Sequence, residues 1–236
     1  SEVLQFQPGC ASLQYVGKVR LIMTDTFSKN QATTAAEAAR IIPRAEFRVF
    51  GKEVIESVKT HMWQCKAQLF KARVMPPETY VLSRHTDEAN VKVRDGLLDI
   101  KTKTGETPEG FEIFQPRGKF QFPVKRDELL TIFAALQADL PETGDSCTFE
   151  EFKNLVRANP DLALVSVEKK RYGFSVDGII CEYAVVWFNG ARVETACCES
   201  ENYDSMASVV EALGLKGMEN TNYLRTAKRV IGWIGN

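Results

Sequence analysis

Two stretches of this chain carry residue types that do chemistry at regular spacing: RAEFRVFG (44–51) and NVKVRDGLLDIKTKTG (90–105). In the first, Arg44, Glu46 and Arg48 alternate with Ala45, Phe47 and Val49. In the second, Lys92 and Arg94 alternate with Val91 and Val93, and Asp99, Lys101 and Lys103 share a parity. Side chains of a strand point to opposite faces with a period of two, so each stretch predicts a strand with one charged and one apolar face. EKKR (168–171) adds Lys169, Lys170 and Arg171. ICEYAVVWF (180–188) holds a single charge, Glu182, and TACCESE sets Glu199 and Glu201 just after two cysteines. A carboxylate in apolar surroundings costs free energy unless it is paired or holds a metal. Arginine grips phosphate through paired donors, lysine acts as a point charge, and oxygen-rich carboxylates hold Mg²⁺ or Mn²⁺. Mixed Arg/Lys and Glu lining therefore suits a phosphate chain. An open antiparallel sheet with one wet face produces the same alternation, so the structural question is whether these charged faces converge.

The elements that would position them follow from pattern and turn chemistry. Strands are expected at 44–50, 79–84, 90–95, 97–103, 111–115, 162–173, 179–188 and 192–199, with a strand or hairpin at 12–24. Asp95-Gly96, Asp177-Gly178 and Asn189-Gly190 are hairpin turns. Helical spacing of Val54, Ile55, Val58, Met62, Cys65 and Leu69 predicts a helix over 52–70, and 32–40 is Ala-rich. Further helices are expected at 125–139, 146–160 (Thr148 as N-cap, Glu151 completing a capping box), 203–214 and within 219–234. Strands joined by tight hairpins, with helices between, argue an α+β fold with a largely antiparallel sheet, possible as a barrel.

The bulk numbers exclude several classes. With 236 residues, 44% hydrophobic and 26% charged, the chain is ordinary for a globular protein. A net charge of -1 gives no global field toward DNA or an anionic membrane. No apolar run reaches a membrane span and SEVLQFQPGC lacks the marks of a secretion signal. The six cysteines form no C-x-x-C, and His61 and His85 sit far from any paired cysteines, which argues against zinc and for reduced thiols in the cytoplasm. G-x-x-x-x-G-K-[ST], G-x-G-x-x-G and G-x-S-x-G are all missing.

In order, the charged opening strand, NVKVRDGLLDIK, EKKR, CEYAVVWFNG, VETACCESEN and NTNYLRTAKRV resemble the CYTH superfamily, the triphosphate tunnel enzymes, over roughly residues 43–230. The resemblance implies an antiparallel β-barrel of about eight strands around a polar tunnel, with helices packed outside. It divides the chain into an N-terminal extension (1–40) and a tunnel domain (41–236) with a helical insertion at about 123–160. It implies Arg48, Lys92, Arg94, Lys101, Lys170 and Arg171 as phosphate ligands, with Lys169 as an alternative to Lys170. Glu46, Glu182, Glu199 and Glu201 are implied as metal ligands, and Glu46 and Glu199 as the catalytic carboxylates. The family's opening E-x-E-x-K reads here Arg44-Ala-Glu46-Phe-Arg48: the first Glu has become Arg44. Three functions follow as expectations. The first is hydrolysis of a triphosphate or polyphosphate with Mg²⁺ or Mn²⁺, less readily an adenylate cyclase. The second is a non-catalytic module binding a phosphate-chain small molecule, an RNA 5′ end or a protein partner, a second copy in a homo-dimer included. The third is a scaffold whose charged faces meet only solvent.

Overall fold

The computed structural model describes residues 32–235, so the strand or hairpin expected over 12–24 lies outside the described residues. After a short capped helix, α1 (Ala35–Ala38), the alternating charge of the opening stretch becomes β1 (Arg44–Gly51). Then follow α2 (Val54–Gln64), β2 (Gln68–Ser83), β3 (Ala89–Arg94), β4 (Leu97–Glu106) and β5 (Glu112–Gln121). The next segment folds as β6 (Val124–Lys125), α3 (Arg126–Ala135), β7 (Ser146–Cys147) and α4 (Phe149–Ala158). β8 (Leu162–Val176), β9 (Ile179–Phe188), β10 (Ala191–Ser200), α5 (Met206–Ala212) and α6 (Tyr223–Val230) complete it. The three hairpin turns have positive φ at both central residues: Asp95 and Gly96, Asp177 and Gly178, Asn189 and Gly190. That twist matches right-twisted strands. Thr148 and Glu151 form the expected capping box.

The strands close into a barrel in the order β1-β10-β9-β8-β2-β3-β4-β5, each pair antiparallel. This is the architecture that the resemblance implies. A closed barrel leaves no free edge along its paired length, and it converts the two faces of every strand into an inside and an outside.

One expectation is corrected here. The helix read over 52–70 stops at Gln64, and β2 begins at Gln68. Lys66 takes a positive φ and Ala67 N–H donates to Met62 O at 3.1 Å, which ends the helix. Leu69 fits helical spacing from Cys65, but short apolar runs satisfy helix and strand alike.

Apolar residues outside the barrel find helices. Ala45, Phe47 and Val49 of β1 pack with Val54, Ile55 and Val58 of α2 and with Met206, Val209 and Val210 of α5. Val91, Val93, Leu98 and Ile100 of β3 and β4 pack with Leu129, Ile132 and Phe133 of α3 and Phe152 and Val156 of α4. No helix among the described residues is long and apolar enough to cross a membrane.

The third cluster lies inside. Tyr223, Leu224 and Ala227 of α6 pack with Leu82, Val165, Val167, Ala184, Val186 and Phe188, so α6 plugs one end of the barrel. The sequence between α5 and α6 makes this possible. β1 pairs with β5 only from Arg44 to Glu46. Beyond that point its edge is taken over: Thr221 N–H donates to Arg48 O at 2.8 Å, and Arg48 N–H donates to Asn220 Oδ1 at 2.9 Å. Asn220 Nδ2 also donates to Gly110 O at 2.7 Å, tying the plug to the β4–β5 connection.

Asn220→Ala would leave the Arg48 N–H without its acceptor in a place closed to water. A loss of about 1–3 kcal/mol is expected, read as a lower urea midpoint at unchanged slope. Asn220→Asp keeps the acceptor and should cost less.

Candidate functional site

Strand pairing assigns the inner face residue by residue. Arg48 opposes Cys197, and Glu46 opposes Glu199, across β1 and β10. Lys169 opposes Val186, and Arg171 opposes Ala184, across β8 and β9. Tyr80 of β2 opposes Lys92 of β3, which opposes Asp99 of β4. Residues directly opposite share a face. Val186 and Ala184 belong to the internal cluster, so Lys169 and Arg171 point inward with them. The Tyr223 ring confirms a common space: the Arg48 guanidinium from β1 lies 4.7 Å from its centroid and the Lys169 ammonium from β8 lies 4.3 Å from it.

By this register Arg48, Lys92, Arg94, Lys101 and Arg171 lie on the inner parity, Lys101 at an exposed position. Lys170 does not. It opposes Val74 and Val185 on the outer face and is exposed, so the interior place belongs to Lys169. Adjacent residues of a strand cannot share a face.

The deepest charge cluster centres on a residue that the sequence pattern did not single out. Glu78 is 1% exposed and its carboxylate meets Arg94 Nη1 at 3.0 Å, Lys92 Nζ at 3.5 Å and Lys169 Nζ at 2.5 Å. Burial pushes the Glu78 carboxyl up, yet Lys92, Lys169 and Arg94 together hold it well below the usual carboxylate range. Burial, and next the repulsion of Lys92, lowers Lys169 to about 7 against the pull of Glu78. Burial likewise lowers Lys92. Lys169 also donates to Tyr80 Oη at 2.9 Å, and Arg94 reaches Asp99 at 3.6 Å. Glu78 lies just past a register shift between Met75 and Glu78 and follows Pro76-Pro77, so no alternation leads into it. Its parity with Tyr80 and Leu82 in ETYVL was the signal that would have found it.

Nearer the open end the carboxylates are held by guanidinium groups. Arg48 Nε donates to Glu46 at 2.6 Å and its Nη2 to Cys197 Sγ at 2.9 Å. Burial raises the Glu46 carboxyl, but Arg48 outweighs it and the net shift is downward. Arg171 grips Glu182, whose second oxygen is buried without a hydrogen bond, 3.8 Å from Arg48 Nη1. At the rim Arg44 spans Glu199 (3.5 Å) and Glu201 (3.3 Å).

This arrangement bears directly on a metal. Glu46 and Glu199 are directly opposed, as a bridging pair would be, but Arg48 holds one and Arg44 the other. Among the described residues no three carboxylate, histidine or cysteine side chains gather to hold an ion. As folded, the donor set does not fit a divalent cation.

No protein-family model matches the chain, and no curated protein matches it. Among solved structures, a conserved hypothetical protein from Pyrococcus furiosus is similar at 15% identity and a TM-score of 0.44, over 77% of this chain and 98% of its own. A proposed adenylyl cyclase from Hippeastrum with a dominant triphosphatase activity is similar at 10% identity and 0.46, over 81% and 96%. A proposed adenylate cyclase from Bacillus halodurans is similar at 10% and 0.41, over 78% and 96%. Likeness at this level carries no argument about activity, and the barrel rests on this chain's own strand pairing.

Breaking a buried ion cluster by removing its shared partner is costly, whereas an exposed pair contributes little. Glu78→Gln takes the paired carboxylate from Lys92 and Lys169 and leaves Arg94 with Asp99 alone, and should lower stability by about 3–5 kcal/mol in urea at pH 7. Arg44→Ala, at the half-exposed rim, should cost less than about 1 kcal/mol in the same measurement.

Proposed function

We propose that the barrel interior binds the phosphate chain of a small molecule or of an RNA 5′ end, and that it works as a binding module with slow or no hydrolysis. One observation carries this reading: Lys92, Arg94 and Lys169 share the single carboxylate of Glu78 where water is largely excluded. Cations in excess of their counter-charges, at low local dielectric, attract a further anion strongly. A phosphate chain supplies several oxygens for one guanidinium fork and two ammonium groups. Glu78 and Asp99 then act as internal competitors for the same donors, and they set how much negative charge a ligand must bring.

A second reading, hydrolysis of the chain assisted by Mg²⁺ or Mn²⁺, is favoured by the directly opposed Glu46 and Glu199. It requires Arg48 and Arg44 to release both carboxylates first. A permanent cation at position 44 opposes a metal ion at short range, and on this ground turnover is expected to be weak.

Titration calorimetry with tripolyphosphate tests the binding reading. Binding should weaken steeply with added salt. An anion beside Lys169 favours its charged form, so at pH 8 binding should draw in a proton. Affinity should fall as pH rises above 7, by up to about tenfold per unit. Lys169→Met should lower the affinity and abolish the share of proton uptake that depends on the lysine. Phosphate release from tripolyphosphate with Mg²⁺ or Mn²⁺ should be slow in the unaltered protein and faster in Arg44→Glu. The absence of binding at low salt would defeat both readings; fast release by the unaltered protein would favour the second.

A further inference from the structure

The wall of the open end carries one aromatic ring that neither the core nor the ion pairs use. β2 and β8 run together past the cluster at Glu78, and beyond it their register breaks: Leu69 opposes Phe174, and the next pair is Lys71 with Gly173. Phe70 is therefore the extra residue of a bulge, and Phe70 and Lys71 together face Gly173. Gly173 opposes Glu182 across β9 and shares its parity with Lys169 and Arg171, so it belongs to the inner face. The Phe70 ring lies on it. A Cβ at position 173 would come within 3.0 Å of Phe70 Cε2 and 3.3 Å of its Cζ, so the missing side chain is what gives the ring its bed.

Phe47, Phe120, Phe174 and Phe188 are buried, but Phe70 is 57% exposed. Among the described residues it takes part in no ring pair and no cation–ring contact. An exposed phenylalanine on an outer face is ordinary; one on the inner wall of a charged mouth meets whatever enters. Its surroundings there are polar: Arg171 grips Glu182, and one Glu182 oxygen is buried without a hydrogen bond. Spacing ties the ring to the cations deeper in. Lys169, Arg171 and Gly173 follow one another along the inner face of β8. Four residues of strand at about 3.3 Å each set the ring about 13 Å from the level of Lys169. Three phosphates and a ribose bridge a gap of that size, with Arg171 beside the middle.

We infer that Phe70 is a stacking platform for the base of a nucleoside triphosphate whose phosphates enter the barrel. This rests on the phosphate-binding reading above and deepens it, because it adds recognition of a ring at the mouth. A bare phosphate chain has nothing to lay on a phenyl ring, whereas every base has a π face and stacks with little regard to its identity. One ring takes one base. The tyrosines beside it on β8 and β9, Tyr172 and Tyr183, stack on each other on the outer face, so they do not continue a track along this wall as an RNA strand would need. The occupant is a mononucleotide.

Calorimetry on the full chain, at low salt and without added metal, compares tripolyphosphate, ribose 5′-triphosphate, adenosine triphosphate and uridine triphosphate. Ribose triphosphate carries the charge of the nucleotides without the base, so the ratio of affinities isolates the ring. Both nucleotides should bind about tenfold tighter than ribose triphosphate. Phe70→Ala should bring that ratio to about one and Phe70→Trp should restore it. The position is exposed, so both variants should keep the urea midpoint of the unaltered chain. A ratio near one in the unaltered protein, with tripolyphosphate still binding, overturns the platform and leaves the phosphate-binding reading standing. Failure of every ligand to bind overturns both. A ratio that survives Phe70→Ala takes the base away from Phe70. A 5′-triphosphorylated trinucleotide that binds tighter than adenosine triphosphate gives the platform to RNA and overturns the mononucleotide.

Discussion

Glu78, buried and shared by Lys92, Arg94 and Lys169, sets the terms for the rest of the molecule. Three cations on one carboxylate are tolerable inside a protein only when every one of them is held in place, because a charge that loses its partner there has no water to fall back on. The strand pairing provides this. Each of the three cations sits on a strand that pairs with β2, Lys92 and Arg94 on β3 and Lys169 on β8, at a register fixed by directly opposed residues. The bulge between Met75 and Glu78 shifts that register just before the cluster, and bulges re-aim side chains at such places. Charge excess and geometry are thus one feature.

The plug at the other end keeps the cluster dry. α6 brings Tyr223 across the interior, where its ring meets Phe50, Phe188 and Tyr80. Arg48 and Lys169 lie against the same ring, which rewards two cations without adding a negative charge. The plug depends in turn on β1 leaving β5 after Glu46, since Asn220 and Thr221 bond to the freed edge at Arg48. Ion cluster, aromatic floor and plug are therefore coupled through one residue, Arg48, whose backbone holds the plug and whose guanidinium holds Glu46 and faces Glu182.

At the open end the reversed charge of Arg44 changes what the carboxylates do. Glu199 and Glu201 face a guanidinium there, and the opposed pair Glu46 and Glu199 is neutralised from both sides. The barrel keeps an anion-attracting depth and has a self-paired mouth. Those two facts together are the basis of the proposed reading, a barrel that binds a phosphate chain and processes it slowly.

Much of this was legible in the sequence, and the division is physical. Alternation of charge and bulk is a local property, so β1, β3, β4, β9 and β10 and their type I′-like turns at Asp95, Asp177 and Asn189 could be read directly. So could the capping box at Thr148 and the charged strand faces holding Arg48, Lys92 and Arg94. Three things were decided only by tertiary structure. The long β2 was hidden, because its first three residues fall within the helix expected over 52–70 and two prolines interrupt it midway. The choice of Lys169 over Lys170 was open, because parity within one strand has no absolute sense until Val186 fixes it from the next strand. And Glu78 became the centre of the site only when three strands brought Lys92, Arg94 and Lys169 to it. The residue types and their period of two are written along the chain; which side is the inside is a property of closure, and closure depends on pairings between residues as far apart as Glu46 and Glu199.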